Sequence, residues 1–246
     1  MTLPPKPLNV IALISGGKDS IYSLLHVLSL GHRVLALGNL YPQAAAHATS
    51  TPSTSTSTAT SSTTASNAGP TADDDAPDPD SHMYQTAGHV LIPAIAKALG
   101  LPLFRAPIVG GAVVGGSTYA PLSGGEGGDE TESLLPLLRA IKKAHPTADA
   151  VSAGAILSTY QRTRIESVAA RMGLVPLAFL WQYPSLSKED GEAGLLAHME
   201  EVGMEARIVK VASGGLGEGE LWVDVVSRPG RERVGRKVGR FGGVGG

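Results

Sequence analysis

Six consecutive residues, Ser15-Gly16-Gly17-Lys18-Asp19-Ser20, carry the clearest chemistry in this chain. Paired glycines let the backbone turn tightly and present its N–H groups, and a helix that starts at such a turn attracts anions. Lys18 adds a point charge suited to phosphate, and the hydroxyls of Ser15 and Ser20 add further donors. The run is not a Walker A loop. That pattern needs a glycine where this chain has Ala12, and Ser or Thr after the lysine, where it has Asp19. The plainer alternative is an ordinary strand-to-helix turn with a Ser or Asp cap. Six specific residues directly between an apolar strand and a helix favour nucleotide phosphate binding.

The elements that must position this loop follow from the apolar pattern. Val10–Ile14 is a short, solidly apolar run, as expected of a strand covered on both faces. Ile21, Leu24, Leu25 and Leu28 then recur at helical spacing, with Gly31 as a C-terminal cap. Val34–Leu40 reads as a second buried strand. Beyond it the pattern predicts a helix over Met83–Leu99 with a kink or restart at Pro93, and a strand over Leu101–Val109. A helix around Leu134–Ile141, a strand at Val151–Leu157, a helix at Arg162–Met172 and a strand at Pro176–Trp181 follow. The last predicted elements are a helix near Glu192–Val202 and a strand at Ala206–Ala212. Strands alternating with helices imply an α/β fold, a doubly wound, mainly parallel, Rossmann-like sheet.

At the ends of these strands lie further candidates. Asn39 closes the second strand, where it would meet adenine or ribose, or would simply form a turn. Gly154 falls inside a strand, where glycine costs stability unless something approaches closely. Ser158, Tyr160, Gln161 and Arg162 cluster just beyond it, either at the site or as a helix cap with a solvated face. Arg162 and Arg164 point roughly 200° apart on a helix, so only one of them faces inward.

Composition bounds the rest. The 246 residues carry 20 Lys+Arg against 22 Asp+Glu, a balance that argues against a protein built to coat nucleic acid. Zero cysteines exclude disulfides, thiolate metal sites and cysteine nucleophiles. No apolar run approaches the ~20 residues of a membrane span, and the N-terminus lacks a signal-peptide pattern, so a soluble cytoplasmic protein is expected. Residues 44–80 hold no Val, Ile, Leu, Met or aromatic, and Ser and Thr fill 16 of the 37 positions. Such a stretch cannot bury enough apolar area to offset its ordering entropy and reads as a disordered insert. Residues 1–212 then form one domain. The final stretch, 213–246, is glycine-rich and basic and is expected to be poorly ordered.

The loop resembles the pyrophosphate-loop signature of the ATP pyrophosphatase superfamily, which cleaves ATP to AMP and pyrophosphate. Four more segments resemble diphthine–ammonia ligases in particular. They are Ala36–Leu40, Met83-Tyr-Gln-Thr86, Gly154–Arg162 with Arg164 and Glu166, and Pro176–Trp181. The likeness runs from about residue 9 to 212, and Gly154–Glu166 is its most specific block. It implies an ATP-dependent amidation in which the carboxylate of diphthine, on translation elongation factor 2, is adenylated and ammonia displaces AMP. Ser15, Gly16, Gly17, Lys18, Asp19 and Ser20 would grip the nucleotide with Asn39, Gly154 and Ser158, and Lys18 and Asp19 would be catalytic. Asp19 would help to hold magnesium or would merely cap the helix. Tyr84, Gln85, Glu130, Tyr160, Gln161 and Arg162 would face the substrate, and Asp129 and Glu132 belong to the same acidic segment as Glu130. Tyr84 and Gln85 equally suit the first turn of a helix, acids suit a first helical turn through the macrodipole, and Trp181 suits a core as well as a pocket.

The sequence also departs from that family. A Gly-Glu-Gly-Gly-Glu-Tyr-Glu-Thr segment expected in a second domain is missing, and Leu216–Glu220 is only an echo of it. On that ground the chain is expected to bind nucleotide but amidate poorly. Two alternatives stand beside the ligase: a tRNA-modifying pyrophosphate-loop ligase, and a non-catalytic nucleotide-binding module. No membrane partner and no direct nucleic-acid partner are expected.

Overall fold

The computed structural model describes residues 6–42, 88–111, 119, 128–156, 158–182, 194–211 and 215–238. The 44–80 insert and the Tyr84–Gln85 pair lie outside them. Five strands form one sheet: β1 (Asn9–Leu13), β2 (Arg33–Tyr41), β3 (Leu103–Pro107), β4 (Ala150–Ser152) and β5 (Val175–Leu177). Their order is β3-β2-β1-β4-β5 and every neighbouring pair is parallel. The helices between them are α1 (Lys18–Ser29), α2 (Ile92–Leu99), α3 (Leu134–Ala144) and α4 (Thr159–Arg171).

The strands are apolar throughout because both faces are covered. Val10 and Ala12 of β1 pack with Leu24 and Val27 of α1 and with Ile92 and Ala96 of α2. Ile11, on the opposite face, packs with Leu137, Leu138 and Ile141 of α3 and Val168 and Ala169 of α4. Period-two alternation thus sends neighbouring side chains into two separate cores. The β1–β2 register slips between Val10 and Ile11, pairing Val10 with Val34 but Ile11 with Ala36. That slip lets Val34 and Leu37 join one core while Ala36 and Leu40 join the other. This is a doubly wound α/β fold.

Local details sharpen the predicted boundaries. Pro93 sits in the first turn of α2, where its missing N–H has no partner to lose, so the helix starts there rather than bending. The strand expected at Pro176–Trp181 stops at Leu177. Phe179–Gln182 coils into a 3₁₀ turn that sends Leu180 into a third cluster with Tyr22, Leu195, Met199 and Val226.

Beyond the sheet, α5 (Gly194–Glu201) and α6 (Arg228–Val238) flank an irregular segment. The strand expected at Ala206–Ala212 is not part of the sheet. Residues 206–208 meet 222–225 in a single antiparallel bridge, Arg207 with Asp224. The regular helix α6 replaces the featureless tail that composition suggests. It lacks an apolar stripe because charge holds it. Glu220 is 1% exposed and accepts hydrogen bonds from Lys237 Nζ (2.6 Å), the Gly217 N–H (3.0 Å) and Arg233 (3.4 Å). Arg231 reaches Glu200 at 2.7 Å from the same helix. Among the described residues no helix is long and apolar enough to cross a membrane.

The Lys237 ammonium, with the Gly217 N–H and Arg233, holds the Glu220 carboxyl down to about 2 from an ordinary 4.5. A carboxyl depressed on folding stabilises the folded state above its unfolded value, and that contribution disappears as pH falls through the folded value. Exchange protection of the Arg228–Val238 amides, corrected for intrinsic rates, is therefore expected to fall between pH 4.5 and 2. Glu220→Gln should lower that protection at neutral pH and flatten its dependence in this window; an unchanged profile would refute the anchor.

Candidate active site

Strand order fixes where the cleft must be. The chain leaves β1 toward β2 and β3 on one side and reaches β4 and β5 on the other, so a crevice opens between β1 and β4 at their carboxyl ends. The Ser15–Ser20 loop enters that crevice from β1. Gly16 takes a left-handed conformation (φ 83°), and a Cβ there would lie 3.0 Å from Ile92 Cδ1. The two serines stitch the loop together. Ser20 Oγ donates to the Gly17 carbonyl (2.9 Å) and accepts from the Ser15 N–H (3.2 Å), while the Gly17 N–H donates to Ser15 Oγ (3.3 Å). Their hydroxyls thus hold the shape of the turn. The groups left for an anion are the first N–H groups of α1, which have no intrahelical partner.

A cavity of about 190 Å³ lies against this turn. Ser15, Gly17, Asp19 and Ser20 line it from the loop, Gly38 and Asn39 from β2, Ala153–Ala155 from the segment that follows β4, and Gln161 and Ile165 from α4. Asn39 is buried and is no turn former. Its Nδ2 donates to the Ile14 carbonyl (3.0 Å), and its Oδ1 accepts from Arg105 Nε (2.9 Å). Gly154 explains itself by contact: a Cβ there would stand 2.6 Å from the Ser20 nitrogen and 2.7 Å from the Asp19 carbonyl carbon. Ser23 Oγ donates to the Ala153 carbonyl (3.2 Å) and ties the same two segments. Lys18 does not line the cavity; its Nζ lies 2.8 and 3.0 Å from the two Asp19 carboxylate oxygens, with both side chains about one-third exposed (31% and 32%).

The other candidates are placed apart from the cavity wall. Ser158 caps α4, accepting from the Gln161 N–H (3.2 Å), and of its neighbours Gln161 reaches the cavity. Arg162 Nε meets Glu166 at 2.6 Å on the outer side of the helix. Arg164 turns inward, fully buried, with its guanidinium 3.2 Å from the Tyr160 ring centroid and 5.0 Å from that of Tyr119. Burial pushes the Tyr160 hydroxyl up in pKa. Asp129 caps a 3₁₀ turn over Glu130–Ser133, and Glu130 is buried within it. Glu132 instead grips Arg171 in a two-pronged pair (2.8 and 2.9 Å) and accepts from the Tyr119 hydroxyl at 2.6 Å. Arg171 holds its carboxyl below the ordinary range. Ile165 and Arg105 are among the residues that the sequence reading did not single out. Arg105 is the register partner of Asn39 across β2 and β3, a pairing that only the strand order reveals.

No family model matches the chain. A zebrafish (Danio rerio) protein named diphthine–ammonia ligase is 40% identical over 209 residues, 85% of this chain and 66% of that protein. The chain belongs to the diphthine–ammonia ligase family. The human protein of that name is 38% identical, again across 85% of this chain. A fission yeast (Schizosaccharomyces pombe) relative of the same name is 39% identical over 214 residues. The chain spans 64% of the human relative and 28% of the fission yeast one.

The close approach at Gly154 generates a test. Gly154→Ala forces a methyl group into the backbone of the first turn of α1, where overpacking costs about 1–3 kcal/mol. The melting temperature should drop by several degrees, and binding of ATP, read by calorimetry, should weaken at least roughly tenfold as the turn shifts. Unchanged stability and binding would mean that the contact is not tight.

Proposed function

We propose that this chain forms the ATP-binding and carboxylate-activating cleft of a diphthine–ammonia ligase acting on elongation factor 2. One observation carries the reading: the Ser15–Ser20 turn, held by its own serines, opens its helix N-terminus into a cavity at the β1–β4 switch point. Family membership supports the same conclusion. In the proposed reaction a carboxylate oxygen of diphthine attacks the α-phosphorus of ATP, and pyrophosphate leaves. Ammonia then attacks the acyl carbon, AMP departs, and the lost proton passes to solvent, giving the amide.

The protein's part is positioning and charge stabilisation. The N–H groups at the start of α1 receive phosphate oxygens, and Lys18 swings from Asp19 onto the departing pyrophosphate. Asn39 keeps the loop's entry fixed, and Gln161 offers an amide to the substrate side. The donor set fits magnesium only as an ion carried on the nucleotide. Asp19 supplies one carboxylate, and among the described residues no group of three His, Cys, Asp or Glu converges. Bound there, such an ion would neutralise charge on the phosphates.

Incubation with ATP, ammonium and diphthine-bearing elongation factor 2, followed by mass measurement of the modified residue, tests the reading directly. Binding of ATP with slow conversion of the carboxylate to the amide, AMP and pyrophosphate being released with it, is the expected result; no nucleotide binding at all would defeat it. A narrower test removes the lysine. Lys18→Ala opens no core cavity, so the fold should survive. Loss of a charge-assisted bond of about 1.5–3 kcal/mol should weaken ATP roughly 10- to 150-fold in calorimetry.

A further inference from the structure

We infer that Arg105, which does not line the cavity, is a positioning residue that sets the shape of the nucleotide site from behind. The inference rests on the proposed reading of that cavity as a nucleotide site. The guanidinium makes three separate attachments. Its Nε donates to Asn39 Oδ1 at 2.9 Å, its NH2 donates to the His89 carbonyl at 3.3 Å, and its carbon lies 4.8 Å from the Tyr41 ring centroid. Two of these attachments lead to the phosphate turn.

Asn39 comes first. A side-chain amide can flip end for end, exchanging donor and acceptor. Arginine is donor-only, so its contact at Oδ1 forces Nδ2 toward the Ile14 carbonyl, the last one before the turn. Arg105 therefore chooses the orientation that pins the loop's entry. His89 is the second lead. The 88–92 segment covers the turn: a Cβ on Gly16 would lie 3.0 Å from Ile92 Cδ1 and 3.9 Å from the Gly88 carbonyl oxygen. Holding the His89 carbonyl keeps that cover in place. The Tyr41 ring under the guanidinium supplies a cation–π contact that keeps the fork flat across β2 and β3. A planar fork with several fixed donors can serve two acceptors at once, and an ammonium cannot do so in the same geometry.

Calorimetric titration of ATP into the wild type, Arg105→Met, Asn39→Ala and the double variant tests this, with melting temperatures in parallel. Arg105→Met keeps the apolar stem and should bind ATP roughly tenfold more weakly while still folded. Because both residues act through one chain of hydrogen bonds, the double variant should bind no more weakly than the worse single one. Arg105→Lys retains the charge and should recover only part of the loss. Should the methionine variant fail to fold, the lysine variant decides by the same criterion. ATP affinity within twofold of wild type in a folded Arg105 variant, or multiplicative losses in the double variant, would overturn the inference while leaving the site intact. A wild type that binds no ATP would remove the nucleotide reading, and the inference with it.

Discussion

The first turn of α1 can face a ligand only if it is held from below, and the backbone at Gly154 holds it. A side chain at this position would occupy the space of the Ser20 nitrogen and the Asp19 carbonyl carbon. Close contact between the exit of β4 and the start of α1 therefore fixes where the free N–H groups of the helix point. Everything else at the site is arranged around that contact. The sheet order makes β4 the neighbour of β1, Ser23 reinforces the junction through the Ala153 carbonyl, and Ser15 and Ser20 close the turn on itself. Serine hydroxyls used in this way hold the shape of the turn. They make the N–H groups available without a rearrangement when an anion arrives, which is the condition under which fixed dipoles stabilise charge best.

Two different kinds of adhesion hold the described parts together. The sheet and α1 to α4 are joined by apolar burial on both faces, which no titrating group sustains. By contrast, α6 is held by Glu200 and the buried Glu220 against Arg231, Arg233 and Lys237. A buried carboxylate without these cations would be costly, so removing one partner costs more than the pair itself contributes. Tyr22 of α1 sits in the third cluster with Leu195, Met199 and Val226, linking the charge-held part to the helix that carries the phosphate turn.

This division explains what was legible in the sequence. Buried parallel strands are solid apolar runs, so β1 to β4 and the helices between them could be read directly. The glycine turn from β1 into α1 was equally legible, since its glycines serve local geometry. Helix α6 was not. Its sequence has no apolar period, and the acids that hold it are distant in the chain. The apolar residues at 206–212 suggest a strand, yet residues 206–208 pair with 222–225 rather than with the sheet. On α4, helical phase separated Arg162 from Arg164 correctly, but only packing shows that the inward arginine stacks on Tyr160 while Gln161 lines the cavity. Arg105 was hidden for the simplest reason. Its meaning depends on lying opposite Asn39, and cross-strand register is not written in either strand alone.

Charge balance at the cavity bears on how a polyphosphate would enter. Lys18, which does not line the cavity, neutralises the lining residue Asp19, and the other lining residues named here are uncharged. Attraction at the start therefore comes from backbone dipoles, whose effect fades beyond the first turn. Once Lys18 turns to a phosphate, the Asp19 carboxylate is left facing the same anion without its partner. That repulsion is modest while the pair is one-third exposed, because solvent screens it, and it grows as the ligand expels water. On the proposed reading, a divalent ion carried on the nucleotide would offset it, with Asp19 as the residue able to hold that ion. On that reading, the placement of one aspartate beside one lysine would couple nucleotide and divalent ion, and that coupling would be Asp19's contribution to the site.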